Sequence, residues 1–389
     1  IVLPLSVLAA AFISMVTFGL LLLMAAYLLL ERKGAKKAST RYWVLVLLSP
    51  MILWVAWYLR AYLHYDRLVL INTLLHMGKR EAFDWILMGG KVLSFVLNVG
   101  GAFLFPLFIW FGISGRWRTR FALLSFFLTF VPFYFFDLDW AWLHILFFAL
   151  MLASGLLVFS EFVELLRNNS AEIRLLVLWF LGILLTCLVL YYAGSVRYTL
   201  LALPPVVLVL LRSLENRIES EYLLRNIVWA GVITSLLYSV PIAYADYRFA
   251  GLYRTAAEEL CSKYGTPENQ VWFTGEWGFR YYFEKEGARM LPRASNEANV
   301  GDIVIKPYIA SPWVTLYDGD EYTDLLEQRI AEEPYPLRIL DFSSHAGFYS
   351  TGWGFLPYSY SLGENWEWFN VFRIKKPYSG PLPEAEQHW

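Results

Sequence analysis

Eight long apolar segments are the feature that most constrains the fold of this chain. Each approaches the roughly 20 apolar residues that an α-helix needs to cross about 30 Å of hydrocarbon. Aromatic residues at the ends of the shorter segments can extend the span. The segments are residues 1–30, 42–62, 87–112, 121–136, 140–160, 173–193, 197–211 and 226–245. They predict a polytopic α-helical membrane protein with about eight transmembrane helices.

The composition agrees with a membrane protein and argues against nucleic acid as a partner. Hydrophobic residues make up 58% of the chain, charged residues make up only 17%, and the formal net charge is −1. A surface that binds nucleic acid needs a concentration of basic residues, which this charge balance lacks. Cys187 lies in an apolar segment and Cys261 in the polar C-terminal part, so we expect no disulfide between them.

The apolar pattern stops after Tyr247, and the remaining residues alternate between helix and strand patterns. We therefore predict a transmembrane domain at 1–247, an extracytoplasmic α/β domain at 248–376 and a loose tail at 377–389. Within the α/β domain, helices are predicted at 252–264 and 276–286, and strands at 270–274, 301–306, 337–342 and 369–374.

Basic residues concentrate in alternate loops, and this predicts the orientation of the chain. Loops 31–41, 113–120, 161–174 and 212–225 hold 13 Lys and Arg residues, whereas loops 63–86, 137–139 and 193–196 hold three. Because positive charge stays in the cytoplasm, the first set is predicted to be cytoplasmic and the C-terminal domain to lie outside the plasma membrane. Residues 67–77 are apolar but too few to span, and we interpret them as an interfacial helix. A short extra span there would reverse every later segment.

Polar residues cluster at the outer end of the second apolar segment, where Arg60, His64 and Asp66 occur within seven positions. Charges are costly at the membrane, so such residues are candidates for function. Asp66 can act as a general base or orient an acceptor, and the basic groups can hold a phosphate. The alternative is a helix end with ordinary interfacial anchors.

A second cluster follows the tight loop 193–195, where Arg197 and Tyr198 begin the next apolar segment. An arginine at an outer helix start can hold a lipid phosphate through two hydrogen bonds. The pair Pro204–Pro205 inside this segment favours a kink. The alternative is an arginine that reaches to the interface from within an aromatic belt.

Two further features are weaker candidates. Asp137 and Asp139 lie two residues apart in a short outer turn and have the oxygen ligands that a divalent cation prefers, although a solvated turn is the commoner arrangement. His144 lies within about a turn and a half of the outer end of the fifth segment. We interpret it as a histidine with its hydrogen bonds satisfied inside the protein rather than as a metal ligand.

Several segments resemble the GT-C superfamily of lipid-linked-sugar glycosyltransferases, in the branch of dolichyl-phosphate-mannose protein mannosyltransferases and aminoarabinose transferases. The resemblance lies in "LPLSVLAAAFISMVTFGLLLLMAAYLLLERKG…RYWVLVLLSPMILWVAWYLRAYLHYD" and in "YYAGSVRYTLLALPPVVLVLLR". "GEWGFRYYFEKEGARML" and "SSHAGFYSTGWGFLPYSYS" resemble the outer domains of bacterial and archaeal members. The resemblance covers most of the chain through short, degenerate motifs.

This resemblance implies transfer of a sugar from a polyprenyl-phosphate carrier to a lipid, glycan or protein acceptor at the outer face of the membrane. By the same resemblance, Asp66 matches the acidic residue of the second outer loop and is the catalytic candidate. Arg197 matches a helix-start arginine near the carrier phosphate, with Tyr198, Arg60 and His64 as further phosphate-binding candidates. Polyprenyl phosphate is already a good leaving group, so no cofactor is required and a divalent cation is optional.

One departure from the family pattern leaves two alternatives open. The first outer loop of the family, with its principal catalytic carboxylate, has no counterpart before a helix like 1–30. We expect either that the N-terminal part is absent from a sequence that begins at Ile1, or that the protein is a catalytically incomplete relative. The alternative function is a non-catalytic scaffold in a membrane complex, whose outer domain docks a partner protein. A transporter is less favoured, because no inverted repeat with paired Gly or Pro breaks is found.

Overall fold

The structure, a computed structural model, divides into two compact units. The N-terminal unit comprises Ile1–Trp140 and Ile145–Val232, and the C-terminal unit comprises Ala141–His144 and Ile233–Trp389. The structure describes residues 52, 55–56, 59–60, 62–63, 85–104, 116–135, 140–166, 170–189, 194–266, 269–291, 298–310, 322–331, 335–361 and 365–376.

Helices build the described part of the N-terminal unit. They are α1 (Trp85–Ala102), α2 (Arg116–Phe135), α3 (Trp142–Leu165), α4 (Ala171–Val189), the short α5 (Val196–Thr199), a 3-10 turn (Leu200–Ala202), α6 (Leu203–Glu215) and the start of α7 (Glu221–Tyr264). Their sequences are apolar around most of the helix circumference. This pattern is typical of helices enclosed by other helices or by hydrocarbon.

The core of the N-terminal unit lies where α1, α3, α4 and α6 meet. Phe180 stands at its centre, with its ring centroid 5.5 Å from that of Phe95 and 4.3 Å from that of Phe162. Gly100 and Gly155 allow α1 and α3 to approach closely, since a Cβ atom at either position would collide with backbone of the facing helix. Small residues at a crossing permit this kind of close backbone contact.

The prediction of eight transmembrane helices is wrong. Among the described residues, three helical stretches are long and apolar enough to cross a membrane, namely Trp142–Leu165, Val196–Glu215 and Glu221–Tyr264. The predicted segment 1–30 and most of 42–62 lie outside the described residues. Apolar residues are selected by burial in protein as well as by burial in lipid, so a count of apolar segments overestimates the number of spans.

Helix α7 corrects a second prediction, namely that a span ends at 245 and a separate helix begins at 252. One helix of 44 residues covers both segments and continues through Pro241. It ends at Tyr264, and the N–H of the following residue, Gly265, donates to the carbonyl oxygen of Cys261 at 2.8 Å. Between residues 245 and 252 the sequence offers no proline and a single glycine, Gly251, which one helix turn tolerates. The boundary between the two units falls inside this helix, after Val232.

Basic residues that were predicted to lie in loops also belong to helices. Arg116, Arg118 and Arg120 form the first turns of α2, and Arg212 lies in the last turn of α6. Arg225 lies in the second turn of α7. Long charged side chains can reach the polar phase from a helix end, so a cluster of basic residues does not mark a loop by itself.

The C-terminal unit has an α/β fold, as predicted from the sequence. Its five-stranded sheet has the order β2–β1–β3–β9–β4, and two short two-stranded ladders accompany it. The elements are β1 (Val271–Phe273), α8 (Trp277–Lys285), β2 (Arg289–Met290), β3 (Ile303–Pro307), β4 (Thr323–Ala331), β5 (Leu337–Arg338), β6 (Leu340–Asp341), β7 (Ala346–Gly347), β8 (Ser359–Tyr360) and β9 (Glu367–Ile374). Strand β1 runs parallel to β2 and β3, whereas β9 is antiparallel to β3 and β4.

Aromatic side chains fill the space between α7, α8 and the sheet. Phe279 and Phe283 are one turn apart on α8, and their rings stack with centroids 4.1 Å apart. Phe279 also contacts Tyr253 of α7 and Phe369 of β9, with centroids 5.6 and 5.9 Å away. The buried face of α8 thus follows the spacing of four that joins successive helix turns. This packing fixes α8 on the sheet and leaves its other face exposed.

Candidate functional site

Arg197 lies at the start of an apolar helical stretch, as the sequence predicts. Ser195 precedes α5 in an extended conformation, with φ −154° and ψ 141°. The side chain of Arg197 is exposed, and its Nη2 donates to the hydroxyl oxygen of Tyr198 at 2.8 Å. The guanidinium carbon lies 4.8 Å from the centroid of the Tyr198 ring. A guanidinium has five N–H donors, so most of its capacity to bind an anion remains after this contact.

A stripe of buried polar residues on α1 was not predicted. Lys91, Ser94 and Asn98 follow the spacing i, i+3, i+7, which places them on one face of the helix. They are 8%, 2% and 4% exposed. Polar groups buried in an apolar helix are costly unless they are hydrogen-bonded. The stripe therefore needs partners on neighbouring elements, and the structure supplies them.

The stripe connects α1 to the end of α4 and to the start of α5. Nζ of Lys91 donates to the carbonyl oxygen of Leu188 at 3.1 Å, near the last residue of α4. Nδ2 of Asn98 donates to Oγ1 of Thr199 at 3.3 Å, and Thr199 donates in turn to the carbonyl oxygen of Ser195 at 3.2 Å. The buried bonds thus hold the residues on both sides of Arg197.

The site has a simple chemical character. An exposed guanidinium is carried on a turn of helix that buried hydrogen bonds fix in place. Preorganised positive groups of this kind can stabilise an anion without having to reorganise when it binds. Arg197 can make two parallel hydrogen bonds to a phosphate. The arrangement is therefore suited to binding a phosphate at the start of an apolar helix.

The sequence did contain a signal for the stripe. Lysine, serine and asparagine are unusual inside an apolar segment, and the spacing of Lys91, Ser94 and Asn98 places all three on one helix face. The segment 87–112 is apolar as a whole, and the three polar residues within it are outnumbered by apolar neighbours. The hydrogen bonds of Lys91 to Leu188 and of Asn98 to Thr199 depend on which helices are neighbours, and the sequence does not show that.

Of the other predicted site residues, Arg60 lies among the described residues. Arg60 is exposed, on a helical face together with Ile52, Val55 and Leu59. Asp66, His64, Asp137 and Asp139 lie outside the described residues, so their roles stay predictions. In the part of the chain that is described, no group of three or more His, Cys, Asp or Glu side chains could hold a metal ion.

His144 was predicted to be a histidine with satisfied hydrogen bonds. In the C-terminal unit, its Nε2 lies 2.8 Å from the carbonyl oxygen of Tyr360, to which it donates. Its ring is in edge contact with that of His345, with centroids 5.6 Å apart. The Nδ1 atom is buried with no hydrogen-bond partner among the described residues. Within the described part of the chain, the histidine is therefore hydrogen-bonded through Nε2.

Comparison of the chain with protein-family models, curated protein sequences and solved structures finds no match in any of the three. The resemblance to GT-C glycosyltransferases rests on the quoted motifs alone.

Proposed function

We propose that this protein is a membrane glycosyltransferase that moves a sugar from a polyprenyl-phosphate carrier to a lipid, glycan or protein acceptor at the outer face of the membrane. The observation that carries the proposal is the exposed guanidinium of Arg197 at the start of an apolar helical stretch. A polyprenyl phosphate combines an anionic head with an apolar tail. A cation at the end of an apolar helix matches both parts.

Helix α7 supports a membrane location. Its first half exposes large apolar side chains, among them Trp229, Leu237 and Val240, which are 60%, 71% and 64% exposed. Apolar surface of this extent indicates contact with lipid or with another protein. At 1.5 Å per residue, the 44 residues extend about 66 Å, roughly twice the thickness of the hydrocarbon layer. About half of the helix therefore suffices to cross the plasma membrane.

The charges around the start of α7 support an orientation. Arg212, Arg217 and Arg225 lie just before that start or in the first turns, and basic residues flank the cytoplasmic ends of spans. The second half of α7 and the C-terminal unit then lie outside the cytoplasm. The stretch Val196–Glu215 runs toward the same basic end, so its Arg197 end faces outward.

Cysteine labelling in intact cells tests this orientation. In a background without Cys187 and Cys261, we expect Ser343→Cys to react with a membrane-impermeant maleimide, because Ser343 is exposed in the C-terminal unit. We expect Glu219→Cys, just before α7, to react only after the cells are permeabilised. The reverse pattern would contradict the orientation. A lack of reaction at both positions until the membrane is opened would do so as well.

The proposed chemistry needs few groups. The phosphate leaves with the electron pair of its bond to the sugar, and the acceptor hydroxyl attacks the anomeric carbon and loses its proton. Arg197 offsets the charge on the departing phosphate oxygen. Asp66, which lies outside the described residues, is the predicted carboxylate that orients the hydroxyl or accepts its proton. The stripe on α1 acts indirectly, by holding the helix start that carries Arg197.

Substitutions at Arg197 test its role in binding the donor. We expect Arg197→Lys to raise the donor KM, because an ammonium cannot make the paired hydrogen bonds of a guanidinium. Arg197→Ala should lose more, about 10- to 100-fold in kcat/KM, because a charge-assisted hydrogen bond contributes about 1.5–3 kcal/mol. The measurement is donor-dependent transfer in lipid nanodiscs.

Arg212→Ala is the matched control for these variants. Arg212 is an exposed arginine at the other end of the same helical stretch, where it forms an ion pair with Glu215 at 3.2 Å. Its removal should leave the donor KM unchanged. Equal kinetics in the Arg197 variants and the wild type would remove the phosphate-binding role and leave Arg197 as an interfacial anchor.

A further inference from the structure

The C-terminal unit carries a continuous row of aromatic rings that reaches the surface at two points. From Trp277 the row passes through Trp353, Phe342 and Tyr308 to Trp368, with successive ring centroids 5.4, 6.4, 5.1 and 3.5 Å apart. Trp277 is 51% exposed and Tyr308 is 42% exposed, whereas Trp353 is buried. The exposed rings are therefore supported from behind by other rings and have little freedom to move.

The backbone at Trp277 is strained. Its φ is +60°, in the left-handed region that a residue with a large side chain rarely adopts. The segment before it is fixed, since the N–H of Glu276 donates to the carbonyl oxygen of Ala310 at 3.0 Å. Two residues later, Phe279 is fully buried. Strain at an exposed aromatic residue is unexpected for packing alone and is a feature of binding sites.

Polar groups border the exposed rings on α8. Tyr281 lies one turn after Trp277 on the same helix face and is 64% exposed. Beside them, the guanidinium of Arg280 pairs with Glu276 at 3.5 Å and with Glu284 at 2.8 Å. The surface therefore presents apolar ring faces next to a row of fixed carboxylate and guanidinium groups.

We propose that this surface, defined by Trp277 and Tyr281 of α8, binds a neutral glycan. A sugar ring has an apolar face of C–H groups, which an aromatic ring can cover, and an edge of hydroxyls, which carboxylate and guanidinium groups can hydrogen-bond. Residues 276–286 contain three glutamates and two basic residues, a net charge of −1, which disfavours an acidic glycan and an anionic lipid surface. The glycan-binding role of this surface is inferred from residues of the C-terminal unit alone. A role of this surface as the site that binds the sugar acceptor rests on the proposed function.

Titration of the full chain in phosphatidylcholine nanodiscs tests the proposal, with neutral hexasaccharides of mannose, glucose and N-acetylglucosamine as probes. We expect at least one of them to bind, as measured by calorimetry. Trp277→Ala should weaken that binding at least tenfold and Tyr281→Ala severalfold, whereas Trp277→Phe should retain part of it. The control Tyr247→Ala removes an aromatic residue that is 68% exposed and outside the row, and it should change binding less than twofold.

Two results would overturn the proposal. One is the absence of binding by the wild type to all three hexasaccharides, and the other is equal binding by Trp277→Ala and the wild type. Quenching by brominated lipid that is clearly weaker in Trp277→Phe than in the wild type would assign this indole to the membrane surface and would also overturn the proposal. Binding that persists in a protein without transfer activity would refute the transferase and leave the glycan-binding surface intact.

Discussion

Replacing Glu367 by alanine is expected to destabilise the C-terminal unit by more than about 4 kcal/mol. The side chain is fully buried at the start of β9. Its Oε1 accepts from the backbone N–H groups of Tyr308, Ile309 and Trp368 at 2.9, 3.0 and 3.0 Å, and its Oε2 accepts from the hydroxyl of Tyr253 at 3.0 Å. Alanine leaves these donors buried without an acceptor, at about 1–3 kcal/mol each.

Thermal and chemical unfolding of the full chain in detergent would measure this effect. Asp324→Ala is the matched control, because Asp324 is a half-exposed strand carboxylate that pairs with Lys375 at 2.6 Å. Its loss should cost less than about 1 kcal/mol. A Glu367→Ala protein as stable as the control would show that the buried carboxylate does not hold α7, β3 and β9 together.

Glu367 also makes the stability of the unit depend on pH. Burial raises the pKa of Glu367 from 4.5 to about 7, although the hydrogen bonds from Ile309, Tyr253, Tyr308 and Trp368 act in the opposite direction. The folded state thus keeps a proton that the unfolded chain releases between these values. Glu367 therefore contributes about 3 kcal/mol of folding stability that is fully present below about pH 4.5 and is lost as the pH rises through 7.

Glu367→Gln separates this effect from the other titrating groups, because glutamine resembles the protonated acid at every pH. We expect the Tm of the wild type to fall relative to that of Glu367→Gln between about pH 5 and pH 8. Parallel Tm curves for the two proteins across this range would contradict the raised pKa.

The second large effect is expected at Glu161, near the end of α3. The carboxylate is fully buried and accepts from Oγ of Ser213 at 2.5 Å and from Nη2 of Arg217 at 2.8 Å. Without Glu161, Arg217 keeps the half-exposed Glu164 at 3.6 Å as a weaker partner, and Ser213 loses this acceptor. We therefore expect a cost near the lower end of the range of about 3–5 kcal/mol that breaking a buried ion pair requires. Glu161→Ala should therefore separate α3 from the end of α6 and lower the stability of the N-terminal unit by about that amount.

Glu215→Ala is the control for this variant. Glu215 forms an ion pair with Arg212 at the end of α6, and both side chains are more than half exposed. Exposed pairs contribute about 0–1 kcal/mol. In the same detergent, the free energy of unfolding should be clearly lower for Glu161→Ala than for Glu215→Ala. Equal stability of the two variants would mean that the buried pair does not join α3 to α6.

Local sequence patterns predicted most of the elements of the C-terminal unit. The apolar and β-branched runs at 270–274, 301–306 and 369–374 became β1, β3 and β9, which lie inside the sheet. Strand β4 was missed, because its sequence TDLLEQRIA carries three charged residues and has no apolar alternation. It lies at the edge of the sheet, where charged side chains are common because one side of the strand faces solvent. β4 can be recognised as a strand only from its hydrogen-bonded pairing with β9.

Features that depend on neighbouring helices escaped the sequence analysis. Arg197 and Tyr198 could be predicted from their place at the start of an apolar segment. The support beneath them, from Lys91 and Asn98, required knowledge that α1 packs beside α4 and α5. The number of spans was overestimated for a related reason, since apolar composition does not distinguish a protein neighbour from lipid.

Release of polyprenyl phosphate is the most direct measurement of the central claim. The wild-type protein in nanodiscs would be incubated with a polyprenyl-phosphate-linked hexose and a membrane extract as the source of acceptor, and the lipids would be analysed by mass spectrometry. We expect sugar-free polyprenyl phosphate to accumulate with the wild type and with Arg212→Ala, and its amount to fall strongly with Asp66→Asn and with Arg197→Ala. Intact donor in the wild-type reaction, or equal release by all four proteins, would contradict it.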